Sequence, residues 1–334
     1  MFGGMNSLPS PIGAPPTPLL SLPRLADRLG IAAVLVKAEN RRALGNFKSL
    51  GGTRAARLAL ARLDGMGSDG DVERRLICAS DGNHGLSVAA AARDAGVGAR
   101  IYLPHHVSAA RAARIAAMGA TIMRVQGTYD DAVREAAAAA TRGEGLLIAD
   151  TTADHNDPVV RDVMAGYATV AEEIIVQIES EGLPRPSHMF VQAGVGGFAA
   201  AMAELLTPAM ALPAMTVVVE PAAAACVAAG LEARGPVQIE GTLETCADML
   251  SCGAASAPAL AILLRHAAHS IQVGEAALRD ACPVLRNSGG PATTPSGAAG
   301  LAGLVAACDR AEKRRAIGLG KRSVVLLFVT EGLC

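Results

Sequence analysis

The chain has no excess of charge of either sign. Thirty Lys and Arg against 31 Asp and Glu give a formal net charge of −1, and the basic residues are dispersed. That removes the electrostatic footprint of a protein that binds nucleic acid or an anionic membrane surface, and leaves a small molecule as the expected partner. Apolar runs able to span a bilayer are missing too, since stretches such as 249–264 are too short or contain proline. The opening MFGGMNSLPSPIGAPPTPLL has no positive charge before Arg24 and carries five prolines, which predicts neither a signal nor a transit peptide. A cytoplasmic protein is therefore expected. The seven cysteines (78, 226, 246, 252, 282, 308 and 334) form no CxxC pair and no His/Cys cluster at metal-ligand spacing. Reduced, mostly buried thiols and no metal site are the expectation. Aromatic side chains make up 2% of the residues with no tryptophan, and only four of the 30 basic residues are lysines.

What is present is length and alternation. At 334 residues, 51% hydrophobic and with 36 scattered glycines, the chain is long enough for two domains and too apolar for disorder. From about residue 74, short apolar runs alternate with alanine-rich segments. RRLICAS, ARIYLP, TIMRVQ and GLLIAD read as buried strands, with helices after the first three at about 84–95, 108–119 and 128–142. A long helix is predicted over 158–180, then strands SHMFVQ and MTVVVE, further helices, and a last strand SVVLLFV. This order predicts an α/β protein with two parallel-sheet units. Residues 74–153 are expected to form a small inserted α/β domain, and 1–73 with 154–334 a large one.

Ligands of open parallel sheets sit beyond the carboxyl ends of the strands. Three such ends carry chemistry: Ser-Asp-Gly-Asn-His-Gly at 80–85, Ala-Gly-Val-Gly-Gly at 193–197, and Thr-Glu-Gly at 330–332. The glycines at 194, 196 and 197 between a strand and a helix start would let backbone N–H groups converge on a phosphate. A tight turn needing positive φ is the plainer alternative. In SDGNHG, Asp81 or Asn83 would cap a helix, or Ser80 and backbone N–H groups would hold a carboxylate while Asp81 faces a reacting carbon. Asp150, closing GLLIAD, is an ordinary turn cap or a second carboxylate in the cleft, one able to move a proton. Lys48, in LGNFKSLGG, is a solvated surface cation or an amine kept for chemistry. A phosphate-bearing cofactor that uses lysine chemistry is pyridoxal phosphate, which forms a Schiff base with an amine whose pKa is lowered by burial.

TPLLSLPRLADRLG, VKAEN, GNFKSLGG, ASDGNHG, YDDAVREA, GYATVAEE, QAGVGG, VVVEP, PSGAAGLAGL and VTEG occur in the order and rough spacing of a known family. Over about residues 15–332 the chain resembles the tryptophan-synthase-like, or fold type II, pyridoxal-phosphate enzymes. Within them it is most similar to the diaminopropionate ammonia-lyases. The resemblance implies a cofactor in the cleft between two domains, Lys48 as its covalent anchor and Phe47 packing beside its ring. It implies that Asn83 bonds the phenolic oxygen, that Gly194, Val195, Gly196 and Gly197 take the phosphate, and that Thr330 faces the pyridine nitrogen.

The same resemblance makes Lys48, Asp81 and Asp150 the catalytic residues and Ser80, Asp81, Gly82 and His84 the holders of a small amino-acid substrate. The implied reaction is β-elimination of 2,3-diaminopropionate to pyruvate and ammonia through aminoacrylate. Dehydration of a 3-hydroxy amino acid and a non-catalytic cofactor-binding relative are the alternatives. A homodimer is implied, because the family is commonly dimeric. The chain departs from these lyases in reading Asp-Thr-Thr-Ala at 150–153, without aromatic residues, and Pro-Ser-Gly at 295–297. Both departures fall on the substrate side.

Overall fold

A computed structural model describes residues 15–65, 72–80, 82–127 and 129–333. Ten strands appear in chain order: β1 Leu19–Ser21, β2 Ala33–Ala38, β3 Arg75–Ala79, β4 Gly98–Pro104, β5 Thr121–Val125, β6 Leu146–Leu147, β7 His188–Gln192, β8 Met215–Pro221, β9 His269–Val273 and β10 Val324–Val329. They form two sheets. One has six strands in the order β1-β2-β10-β7-β8-β9, and the other four in the order β5-β4-β3-β6. Every pairing is parallel except that of β1 with β2. The helices are α1 Pro23–Leu29, α2 Lys48–Gly65, α3 Asn83–Asp94, α4 Ala109–Ala116, α5 Tyr129–Thr141, α6 Pro158–Gly166, α7 Ala168–Ser180, α8 Gly197–Leu206, α9 Cys226–Ala233, α10 Ala257–Arg265, α11 Glu275–Asn287, α12 Pro295–Cys308 and α13 Ala311–Ala316.

The parallel α/β architecture follows from the strand sequences. β7 and β10 are buried along their whole length, as near-continuous apolar runs must be when helices cover both faces. The four predicted strands of the second sheet are all present. Three others, β1, β2 and β9, escape a reading by apolar runs, the first being only three residues long. β2 carries Lys37, fully buried inside an otherwise apolar stretch, and β9 is an edge strand whose Ser270 and Gln272 face outward.

The predicted helix over 158–180 is two helices, broken at Tyr167. The break has a packing cause. A β-carbon on Gly166 would lie 2.7 Å from Gly51 Cα and from the Leu50 carbonyl oxygen, and one on Gly51 would lie 2.7 Å from Tyr167 Cε1. Backbone therefore meets backbone where α6 crosses α2, and the chain turns there to send Tyr167 inward.

α2 begins at Lys48, and the loop before it is held by a buried ionic cluster. Lys37 Nζ donates to Glu173 Oε2 at 2.6 Å, and Arg42 bridges Glu39 at 2.7 Å and Glu173 at 2.6 Å. Thr17 adds a hydrogen bond to Glu39 at 2.5 Å. Each buried charge thus has a partner, which limits the desolvation cost and ties β2 to α7. The loop is fixed from the other side as well, where Phe47 N–H donates to the Thr330 carbonyl at 3.3 Å and Gly332 N–H to that of Gly45 at 2.9 Å.

Gly166→Ala is expected to push α2 off α6 and to cost about 1–3 kcal/mol, as overpacking does. A fall in the denaturant midpoint at unchanged slope checks it; a variant as stable as the parent would refute the contact.

Candidate functional site

The carboxyl ends of β3, β6, β7 and β10 converge on one cavity of about 220 Å³. Lys48, Ser80, Gly82, Asn83, Asp150, Gly194 to Gly197, Thr330 and Glu331 all line it, with Phe47 beside Lys48. The three strand-end motifs therefore share a single space, as the topology of open parallel sheets requires. Asp81 lies outside the described residues.

Lys48 is not a solvated surface cation. Its Nζ lies 2.5 Å from Asp150 Oδ2, and the two side chains are 25% and 10% exposed. Burial works against the amine's charge, but the Asp150 carboxylate outweighs it and holds the Lys48 pKa above the ordinary lysine value. The expectation of a pKa lowered by burial is thereby reversed. The same pair acts on Asp150: burial alone would raise its pKa, but His84 and Lys48 bring it well below the usual carboxylate range. The partner comes from a position 102 residues away, on the other sheet, which is why no neighbour in sequence reveals it.

The loop from β7 to α8 has the geometry of an anion cradle. Gly196 sits at φ +91°, where an L side chain is strained, and a β-carbon on Gly194 would lie 3.0 Å from Cys252 Sγ. No side chain caps the α8 N-terminus. Ser256, fully buried, donates its N–H to the Val195 carbonyl at 2.9 Å, and its hydroxyl has no hydrogen-bond partner among the described residues. Bare N–H groups at a helix start, glycines where side chains would intrude and a free hydroxyl beside them could hold a phosphate.

Four of the chain's eight Phe and Tyr rings, Phe47, Tyr129, Tyr167 and Phe198, line the cavity, and Phe328 packs behind them. Phe47 packs on Phe198 at a centroid distance of 4.3 Å and on Tyr167 at 5.0 Å, and Phe198 packs on Phe328 at 5.3 Å. Tyr167 lies inside the motif GYATVAEE and Phe198 directly follows the glycine run, but the motifs assign neither a role; their clustering in space marks them.

Thr330 Oγ1 accepts from Gln192 Nε2 at 2.9 Å and is 5% exposed. Gly82 N–H donates to Ser80 Oγ at 3.3 Å, and a β-carbon on Gly82 would lie 2.5 Å from Met249 Sδ. His84 does not line the cavity: it is 1% exposed, its Nε2 lies 2.9 Å from the Ile148 carbonyl oxygen, and burial lowers its pKa.

Two family motifs have structural uses visible here. Glu220 of VVVEP caps α9 by accepting from the Val227 and Ala228 N–H groups at 2.7 and 2.8 Å, and burial pushes its pKa up to about 8. Glu331 of VTEG is 4% exposed and accepts hydrogen bonds from Asn83 and Thr294. Among the described residues no group of three or more His, Cys, Asp or Glu is placed to hold a metal ion. Cys226 and Cys252 are free thiols.

A lysine amine beside a carboxylate, an aromatic wall and a phosphate-sized glycine cradle fit a phosphorylated aromatic aldehyde. Asp150→Asn in the cofactor-free protein is expected to leave burial as the dominant influence on Lys48, and so to bring its pKa below the ordinary lysine value. Competitive amine labelling across pH measures this; a Lys48 that titrates in the variant at or above its parent position would contradict it.

The family model for pyridoxal-phosphate dependent enzymes matches residues 12–331. Diaminopropionate ammonia-lyase of Escherichia coli (strain K12) is 31% identical over 340 residues, covering 96% of this chain and 85% of that protein. The crystal structure of the Escherichia coli lyase in complex with an aminoacrylate-PLP azomethine reaction intermediate superposes with a TM-score of 0.85 at 30% identity, covering 96% of this chain and 85% of that one. The crystal structure of a T.th. threonine deaminase superposes with a TM-score of 0.77 at 26% identity, covering 95% of this chain and 92% of that one. A match over nearly the whole length, with the lysine, carboxylate and glycine cradle in one cavity, places the chain in the family of pyridoxal-phosphate dependent enzymes.

Proposed function

We propose that the protein is a β-eliminating lyase that converts 2,3-diaminopropionate to pyruvate and ammonia. The observation that carries this reading is the Lys48 amine and Asp150 carboxylate, 2.5 Å apart in a cavity that also contains the glycine cradle. When bound, pyridoxal phosphate supplies an aldehyde that captures amines and a conjugated ring that acidifies the α-proton of a captured amino acid. Lys48 holds it covalently and Phe47 packs by its ring. Asn83 would donate to its phenolic oxygen, and Gly194, Val195, Gly196 and Gly197 would take its phosphate. Thr330 would offer a neutral hydroxyl to the pyridine nitrogen, a partner that would leave the ring less electron-withdrawing than a carboxylate would and favour elimination over transamination.

Ser80, Gly82 and the helix start at Asn83 orient the substrate carboxylate, with His84 bracing that turn from behind. One of Asp150 and Asp81 takes the α-proton. The other delivers a proton to the β-nitrogen, which leaves as ammonia only once protonated. Residues 74–153 form the small domain of this reading, and 1–73 with 154–334 the large one. Support comes from the separate stretches that feed the two sheets. No described helix is long and apolar enough to cross a membrane. A homodimer in the cytoplasm is part of the same proposal.

Dehydration of a 3-hydroxy amino acid is the second reading, favoured by the likeness to threonine deaminase. Product stoichiometry separates the two, because the diamine yields two ammonia per pyruvate and serine one. Turnover of serine with none of the diamine would overturn the first reading. Lys48→Ala is expected to abolish the visible band of the bound cofactor, and Asp150→Asn to lower turnover by about 10²–10⁴-fold with the band retained.

A further inference from the structure

Glu331 is a buried carboxylate whose hydrogen-bond donors are neutral side chains. Its Oε2 accepts from Asn83 Nδ2 and its Oε1 from Thr294 Oγ1, and no ion pair to it is formed among the described residues. The Thr294 hydroxyl is itself committed, since its oxygen accepts from Gly297 N–H at 3.1 Å as the N-cap of α12. Its one hydrogen is therefore the hydrogen given to Glu331. The backbone of Glu331 is fixed as well, bridging to Asn46 and accepting from Thr293 Oγ1 at its carbonyl.

A carboxylate held this way imposes an orientation on Asn83. Asn83 Nδ2 donates to Glu331 Oε2, so the amide nitrogen faces the carboxylate and the amide oxygen faces away. The nitrogen's second hydrogen stays uncommitted, for no other hydrogen bond of the Asn83 side chain occurs among the described residues. Without Glu331 the amide is free to flip and present its oxygen to the cavity that Asn83 lines. Asn83 stands at the start of α3 beside the four-stranded sheet, while Glu331 and Thr294 belong to the six-stranded sheet and its helix α12. The bond thus also joins the two sheets' units across the cavity.

We propose that Glu331, braced by Thr294, is the positioning residue that fixes the Asn83 amide for the cofactor's phenolic oxygen and links cofactor binding to the approach of the two units. This rests on the reading above in which Asn83 contacts the cofactor. A neighbouring negative charge also disfavours ionisation of the phenolic oxygen, so Glu331 sets the pH at which the bound cofactor changes its absorption.

The test titrates pyridoxal phosphate into the cofactor-free protein and follows the visible band against pH for the parent, Glu331→Gln, Glu331→Ala, Asn83→Ala and the Glu331→Ala/Asn83→Ala double variant. Glu331→Ala is expected to weaken cofactor binding about tenfold, with the double variant no weaker than Asn83→Ala alone. Glu331→Gln, which keeps an acceptor and loses the charge, is expected to bind nearly normally while its band titrates at lower pH. Should Glu331→Ala be misfolded by circular dichroism, the Glu331→Gln titration decides alone. Parental binding and titration in Glu331→Gln and Glu331→Ala beside a weakened Asn83→Ala would overturn the proposal and leave the cofactor reading standing. Additive losses in the double variant would overturn it too. An Asn83→Ala protein that binds like the parent would remove the reading and the proposal together.

Discussion

The cavity depends on one ion pair made across two sheets. Lys48 begins α2 beside the large sheet, Asp150 follows the last strand of the small one, and their contact lies where the strand ends converge. A charge this enclosed is tolerated only with its partner in place. The pair therefore demands that the loop before α2 and the segment after β6 both be held accurately. The Lys37–Glu173–Arg42–Glu39 cluster holds the first of these.

Small residues let the helices come close enough for this. The glycine crossing of α2 and α6 and the contact of Gly52 with Ser87 on α3 allow three helices to pack around the start of α2. The chain's few aromatic rings are then concentrated at the remaining wall, where Phe47, Tyr167, Phe198 and Phe328 touch in series.

Electrostatics in the cavity is unevenly compensated. Asp150 is ion-paired with Lys48, whereas Glu331 is hydrogen-bonded by neutral side chains and feels Arg111 and Lys48 only at longer range, so burial raises its pKa while that of Asp150 is depressed. Environments that push two carboxyl groups apart in this way suit a site where protons must be taken and returned.

Much was legible in the amino acids alone. Continuous apolar runs such as VVLLFV mark strands buried on both faces, and a glycine run between strand and helix marks a phosphate-sized turn, because both depend on local composition. Asn83, Asp150 and Gly194–Gly197 stand at or just after strand ends, where ligands of parallel sheets bind, whereas Lys48 stands out only in combination with them and through the family resemblance. What only the tertiary structure decided is pairing. That Lys48 meets Asp150, that Glu331 rather than a neighbour in sequence orients Asn83, that His84 faces Ile148 and not the cavity, and that a predicted single helix breaks at Tyr167 all depend on residues far apart in the chain. Burial and distance, which set pKa values and side-chain orientation, come into being only when the two sheets meet.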